Sequence, residues 1–425
     1  MNSESVKINT GSLPRTAFIS AIVVGVSLLF IFPTYWLYVI GGLHFTEDTL
    51  YPFLDMHGRL AAFAGHRAGI DILYVPNPFD PLLRVSVKPT WPLGLSFLGL
   101  GPQHLILAGT IAAVGFGAII FTILKPRKWV EVLLLLPICF SPPILLGIER
   151  GNDDIVYFIL LALVPLFLRL KTPMRFWLAW LVIFMLAPAK YYPGAVFLVL
   201  LPEVKNWKQL GLLLAAGLVF VTAYFASNIE EILYLRDAVP KPNLFLVHGG
   251  ALTFEALGLP TIWATVLLLL CVVLGLWVVL RSDCVRLSAA ISLQRWFLLG
   301  YAVFAFCFLL NSNFDYRLIY ILPMLPLLLH LSRTIEVRKV WRSLVRIMVL
   351  LLIPIFWLDI TVMHYFIHDD MSWSLEHVRM STGIKCALLW LYFLGSTMIA
   401  ATLLRPNLRS LASSFYTDCK QFRLK

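Results

Sequence analysis

The sequence predicts an all-α polytopic membrane protein, a single integral domain over residues 1–425 with about twelve transmembrane helices. Three observations predict it. Apolar residues make up 60% of the chain and charged residues only 13%, and the mean hydropathy is +0.85, outside the range of soluble domains. Uncharged apolar blocks recur from end to end. Between them, the clusters of Lys and Arg fall mostly on one side of the membrane they would cross.

A span needs about 20 apolar residues to cross roughly 30 Å of hydrocarbon. The stretch from Ala17 to Gly42 meets this alone; it exceeds a signal-peptide core and lacks a small-residue cleavage site, so it reads as an anchor. Further blocks fit at about 104–124, 129–147, 155–168, 209–227, 260–280, 296–310, 318–331, 346–366 and 384–404. Two shorter pieces, about 176–188 and 191–202, complete the set. With the N-terminus inside, 23 of the 34 basic residues lie on the inner side and about 17 of the 23 acidic residues on the outer side. Both chain ends, including a tail at 405–425, are then cytoplasmic. The +11 net charge is an orientation signal, and no nucleic-acid role follows from it. The six cysteines sit in or near apolar spans or in inner segments, with no outer pair for a disulfide and no zinc-type spacing.

Polar chemistry collects in the outer segments. The first, about 43–92, is too long for a simple connection and is expected to carry interfacial helices. Within it Asp55, Arg59, Ala62 and His66 share one helical face, although a plain interfacial helix has the same spacing. The charge-free run from Pro89 to Leu124 would be about 54 Å long as one helix. Gly101-Pro102 is therefore expected to divide an interfacial piece near 92–100 from the next span.

The turn Glu149-Arg150-Gly151-Asn152-Asp153-Asp154 places carboxylates, a guanidinium and an amide at the membrane edge, where ionisable groups are costly and suggest function. An ordinary hydrophilic turn is the plainer alternative. The segment Ala187-Pro188-Ala189-Lys190-Tyr191-Tyr192-Pro193-Gly194 separates apolar pieces of about 12 residues, each covering roughly 18 Å as helix. Such a break below the surface must be buried in protein or line a wet cavity. Lys190 then points into a polar pocket, or else snorkels to the interface. Asn311-Ser312-Asn313-Phe314-Asp315-Tyr316-Arg317 forms another outer turn, and 228–259 carries His248-Gly249-Gly250, whose glycines allow close backbone approach. His364 and His368 have an i,i+4 spacing used by some metal sites but read as interfacial packing. No metal or cofactor is called for.

Asp55 with Leu60-Ala61-Ala62, Glu149-Arg150-Gly151-Asn152-Asp153, Lys190-Tyr191-Tyr192-Pro193 and Asp315-Tyr316-Arg317-Leu318-Ile319 stand in an order that resembles one known family. It is the polyprenol-phosphate-mannose-dependent glycosyltransferases of family 87, within the C-type glycosyltransferase superfamily. The likeness covers about residues 15–335; Gly58-Arg59, His248-Gly249-Gly250 and the last two spans have no counterpart in its pattern.

The resemblance implies transfer of a sugar, mannose or another hexose, from a polyprenyl-phosphate-linked donor to a hydroxyl of a glycolipid or glycan acceptor on the non-cytoplasmic face. Residue chemistry suits that reaction. A carboxylate must take the acceptor's proton, and Asp55 is the candidate base, ahead of Asp48, Asp71 and Asp80. Cations must meet the charge growing on the leaving phosphate, with Lys190, Arg150 and Arg317 the candidates and His248 a weaker fourth. Glu149, Asn152, Asp153 and Asp315 are expected to hold sugar or acceptor hydroxyls or to orient those cations, while Tyr191, Tyr192 and Tyr316 are candidates to stack on the sugar. One direct displacement would invert the anomeric centre. A bacterial inner membrane, with the site facing the periplasm, is the expected location. The rival class is a secondary transporter of a lipid-linked sugar or polyanion, which predicts two similar halves and midplane charges; the chain shows neither pattern.

Overall fold

Long apolar runs become helices here, and the punctuation between them by Pro, Gly, Asn and Asp fixes where each stops. The computed structural model describes residues 12–32, 45–46, 49–50, 52–238, 247–281, 289–309, 313–334, 339–366 and 371–423. In chain order the elements are α1 (Ser12–Ile31), the strands β1 (Phe45–Thr46) and β2 (Thr49–Leu50), and α2 (Leu54–Arg67). Then come α3 (Leu105–Ile123), α4 (Trp129–Cys139), α5 (Pro142–Glu149), α6 (Asp153–Phe167) and α7 (Arg175–Leu186). The next group is α8 (Trp207–Ser227), α9 (Ile229–Ala238), β3 (Val247–His248), α10 (Gly250–Ala256), α11 (Ile262–Arg281) and α12 (Ile291–Leu309). The chain closes with β4 (Asn313–Phe314), α13 (Leu325–Arg333), α14 (Lys339–Phe366) and α15 (Met371–Arg423). Tight 3-10 segments occupy Trp91–Leu98, Pro102–His104, Tyr192–Glu203 and Asp315–Met324.

Among the described residues, six helices are long and apolar enough to cross a membrane, or seven if the bent pair α4 and α5 counts as one span. The protein is thus helical with several membrane-capable helices, fewer than the twelve blocks of the sequence. Part of the difference has a physical cause. Block 191–202 winds as a 3-10 segment, and block 318–331 is shared between Asp315–Met324 and α13, each with proline inside or at the junction. The α4–α5 pair bends by 54° where Ser141 bonds back to the Ile138 carbonyl at 2.6 Å and Pro142 opens the next helix, a favoured first helical residue. The piece expected near 92–100 is the 3-10 segment Trp91–Leu98, ended by Gly99 with φ 72°. At the far end α15 continues without a break through the tail expected at 405–425, as far as Arg423.

The lipid-type surface and the core separate cleanly. On α8 Leu212, Leu218 and Val219 are exposed, as suits helices that face hydrocarbon. In contrast α12 is buried along most of its length and packs on Tyr192–Glu203, Asp315–Met324 and α15. Ion pairs tie other elements together: Arg295 of α12 reaches Glu203 at 2.5 Å, and Arg333 of α13 reaches Glu131 of α4 at 2.5 Å.

Candidate functional site

The site grows from the six-residue turn between α5 and α6. Gly151 takes φ 54°, a left-handed conformation that residues with a Cβ avoid, and a Cβ there would also lie 3.0 Å from that of Phe53. Asn152 then caps α6, its Oδ1 accepting from the Asp154 amide at 2.8 Å. An Asn in this position satisfies a donor the helix cannot. The cap puts Asp153 and Asp154 in the first turn, where the helix dipole favours negative charge.

α2 docks end-on against the same turn. It has no side-chain cap. Instead the amides of Phe53 and Asp55 donate to the carbonyls of Glu149 and Arg150, both at 3.0 Å, which satisfies orphan donors of the helix N-terminus. Phe53 has φ 57°, a strained state for a bulky residue that holds the chain entry against the turn. Asp55 therefore emerges opposite the residues of its own docking site. Arg150 reaches Asp55 Oδ1 at 2.7 Å and the Asn152 amide reaches Oδ2 at 2.5 Å. Burial alone would raise the Asp55 carboxyl, but Arg150, Lys88 and the Asn152 hydrogen bond outweigh it and hold the group below its ordinary range.

Neighbouring Asp153 and Asp154 send their carboxylates to different partners. Asp153 Oδ2 receives Arg59 at 2.8 Å and Lys88 at 2.9 Å, so α2 and the loop beyond it supply one set. Asp154, fully buried, receives the Lys190 ammonium at 2.8 Å and the Tyr192 hydroxyl on Oδ1, with Arg317 Nε 3.5 Å from Oδ2. Tyr192 also contacts the Tyr320 hydroxyl at 3.0 Å, and Tyr320 donates to the Asp154 carbonyl at 3.3 Å. Lys190 and Arg317 both lie over the Tyr192 ring, at 5.9 and 5.8 Å from its centroid, within cation–π range.

The sequence-predicted residues are thus brought together in three groups. Asp55, Arg150 and Asn152 form the first, Asp153 joins Arg59 and Lys88, and Lys190, Arg317 and Tyr192 surround Asp154. Glu149 is buried beside them, and its Oε2 has no hydrogen-bond partner among the described residues. His248 and Asp315 form a separate pair: His248 Nδ1 lies 3.2 Å from Asp315 Oδ1 while Lys385 reaches Oδ2 at 2.6 Å. His248 is 1% exposed, so it supports Asp315 rather than facing a cavity. Tyr192 is likewise buried with its hydroxyl engaged. Tyr316 stacks on Phe314 at 5.5 Å, and Tyr191 is exposed and 6.1 Å from Phe225. Tyr191 is the member of the three that is exposed.

Sequence reasoning passed over Asp154, Lys88 and Lys385. Asp154 was visible as the second of a carboxylate pair, and helix phase separates it from Asp153 by 100° of rotation. Lys88 had no pattern around it. Lys385 stood alone in an apolar block, and an intramembrane Lys is a functional signal by default. The side chains of His364 and His368 lie outside the described residues, as does Asp48. Among the described residues no group of three His, Cys, Asp or Glu is placed to hold a metal ion.

An apolar groove of 650 Å³, with no charged residue in its lining, is bounded by Val26 and Phe30 of α1, Phe116 and Gly117 of α3, and Ile144 and Ile148 of α5. Phe53 also lines it. Phe53 and Ile148 each stand two residues from a member of the Asp55–Arg150 pair, so groove and charges are contiguous. Compared with known proteins, the chain matches no family model, no curated protein and no solved structure at a significant level. Fold and site define a class, a helical protein with membrane-capable helices and a part-buried charged centre that adjoins an apolar groove.

Proposed function

We propose that the protein is an inverting glycosyltransferase that moves a hexose, with mannose favoured, from a polyprenyl-phosphate-linked donor to a hydroxyl of a glycolipid or glycan acceptor. One observation carries this reading. Five cations (Arg59, Lys88, Arg150, Lys190 and Arg317) gather with Asp55, Asp153 and Asp154, and Asp55 and Arg150 stand two residues along the chain from Phe53 and Ile148, which line an apolar groove. Positive charge exceeds negative, which suits an anionic head group; the groove suits the hydrocarbon attached to it.

In this proposal the acceptor oxygen bonds to the anomeric carbon while the bond from that carbon to the phosphate oxygen breaks, its electron pair leaving with the lipid phosphate. Lys190, fixed in advance by Asp154, and Arg317, held by Asn313 of its own turn, meet that charge, so little reorganisation is needed as it develops. The acceptor proton passes to Asp55. Arg150 and Asn152 occupy one acceptor position on each Asp55 oxygen, and a carboxylate offers about four, so a hydroxyl still has a place to donate. Their charge and hydrogen bonds keep Asp55 ionised and ready to accept. Tyr191 offers its exposed ring to a sugar. The proposal also places the site on the non-cytoplasmic face of a bacterial inner membrane, with the shorter helices completing about twelve crossings in a C-type arrangement.

Mass spectrometry of glycolipids and surface glycans tests it, in cells with the native chain, without it, or with Asp55→Asn at matched expression. A glycan one sugar shorter in both deficient strains is the expected result. Native glycans in the Asp55→Asn strain beside altered ones in the null would remove Asp55 as base and point to another carboxylate or to transport.

A further inference from the structure

Lys385 sits among Ile384, Cys386 and Ala387 on α15, with no acidic residue within reach along its own helix. Its side chain is fully buried, as is its partner Asp315. Burying such a pair is weak evidence for stability, because well-packed apolar residues often serve as well. What the pair fixes is therefore the more informative question.

Asp315 opens the 3-10 segment Asp315–Met324, two residues before Arg317. The turn between them is gripped from three directions. Lys385 and His248 hold the two Asp315 oxygens. Strand β3 pairs with β4, Val247 opposite Phe314 and His248 opposite Asn313. Asn313 donates to the Cys307 carbonyl and accepts from Arg317. α15 also holds the chain just beyond β3, where the Trp390 indole donates to the Gly250 carbonyl at 3.1 Å. All of this ends in the guanidinium of Arg317. Its Nε stands 3.5 Å from Asp154 Oδ2 and makes no hydrogen bond among the described residues. Asp154 attracts Arg317 but does not set its position; the turn does.

We propose that Lys385 is a positioning residue: acting through Asp315, it fixes the 313–317 turn so that Arg317 is presented to the anion site beside Asp154 and Lys190. The role rests on the transferase reading of Arg317, and the test separates the two. The full chain in nanodiscs is compared as wild type, Lys385→Met, Lys385→Arg, Arg317→Gln and the double variant Lys385→Met/Arg317→Gln. Hydrogen–deuterium exchange reads residues 313–320, and equilibrium binding of farnesyl phosphate reads the anion site.

Lys385→Met is expected to speed exchange across 313–320 and to weaken farnesyl phosphate about tenfold, the scale of one charge-assisted hydrogen bond. Adding Lys385→Met to Arg317→Gln should then weaken binding no further, and Lys385→Arg should regain affinity. Unchanged exchange at 313–320, or losses that multiply in the double variant, overturns the proposal. If Lys385→Met alone does not fold, Lys385→Met/Asp315→Asn leaves no lone buried charge and carries the same comparison. Faster exchange with no binding to any protein, wild type included, supports the positioning of the turn and refutes the phosphate reading on its own.

Discussion

Replacing Asp154 by Asn tests whether the charged centre is an ionic unit or a set of neighbours. The carboxylate is fully buried, with Lys190 at 2.8 Å and Arg317 at 3.5 Å, and the side chains of these cations are 18% and 24% exposed. Asn keeps an oxygen for the Tyr192 hydroxyl but removes the charge, so two part-buried cations lose their counter-ion. Breaking a fully buried pair costs about 3–5 kcal/mol; partial hydration of both cations lowers this to roughly 2–4 kcal/mol. Adding Lys190→Met removes one stranded cation, so the double variant should be less destabilised than the sum of the singles by about 1–3 kcal/mol. Equilibrium unfolding of the purified chain in one fixed detergent, followed by tryptophan fluorescence, measures all three. A loss below about 0.5 kcal/mol for Asp154→Asn, with additive behaviour in the double, is the range of an ordinary surface substitution. It would refute the account of Asp154 as the counter-ion of Lys190 and Arg317.

Three other outcomes follow from single contacts. A Cβ at Gly109 would fall 2.2–2.5 Å from the Phe53 ring, so Gly109→Ala should displace that ring and cost about 1–3 kcal/mol as overpacking, read by the same unfolding assay. Gly117 also lines the groove, but a Cβ there meets only Phe121 at 3.9 Å; Gly117→Phe should fill the groove, leave stability nearly unchanged and abolish farnesyl phosphate binding, and undiminished binding would remove the groove from the proposed donor site. Burial lowers the His57 imidazole against the opposing charge of Asp80, with Arg84 lowering it further, so the unfolded chain binds the extra proton first. Stability is then complete above the ordinary imidazole range near pH 6.5 and falls as pH drops through it; His57→Asn should flatten that limb. The depressed Asp55 carboxyl adds its own loss only below about pH 4.

Much of the charged centre was legible because its residues stand at breaks in apolar sequence. Asp55, Arg150, Asn152, Lys190 and Arg317 each follow or precede a helix end, and charged groups beside hydrocarbon are conspicuous. Pairing was not legible. Nothing in the spacing of 153 and 154 says that one aspartate faces Arg59 and the other Lys190, since this depends on how α2 and Tyr192–Glu203 dock against α6. The role of His248 was hidden for the same reason: its partner Asp315 is 67 residues away, and Lys385 lies 70 residues beyond Asp315. Helix positions were better specified than spans. The apolar blocks located the long helices but not α2, α9 or α10, and hydropathy cannot tell a continuous α-helix from a 3-10 segment with proline inside, as at Tyr192–Glu203.

The mixture of charges explains why the centre is stable enough to be useful. Five cations held together next to an apolar groove would repel one another and lack water, so each would need its own counter-ion. Asp55, Asp153 and Asp154 supply three, two of them from one helix turn whose dipole already favours negative charge. They do not cancel the field. Asp153 serves both Arg59 and Lys88, and Asp154 both Lys190 and Arg317, so each of these two aspartates leaves one positive charge unbalanced. A bound phosphate would complete that count, whereas a neutral ligand would leave it open. It follows that removing a cation should weaken anion binding while relieving repulsion, and removing an aspartate should destabilise the protein while strengthening the bare attraction for anions. Opposite signs in those two measurements, from Lys190→Met and Asp153→Asn, are what an anion site demands; equal signs would mean that the centre serves the fold alone.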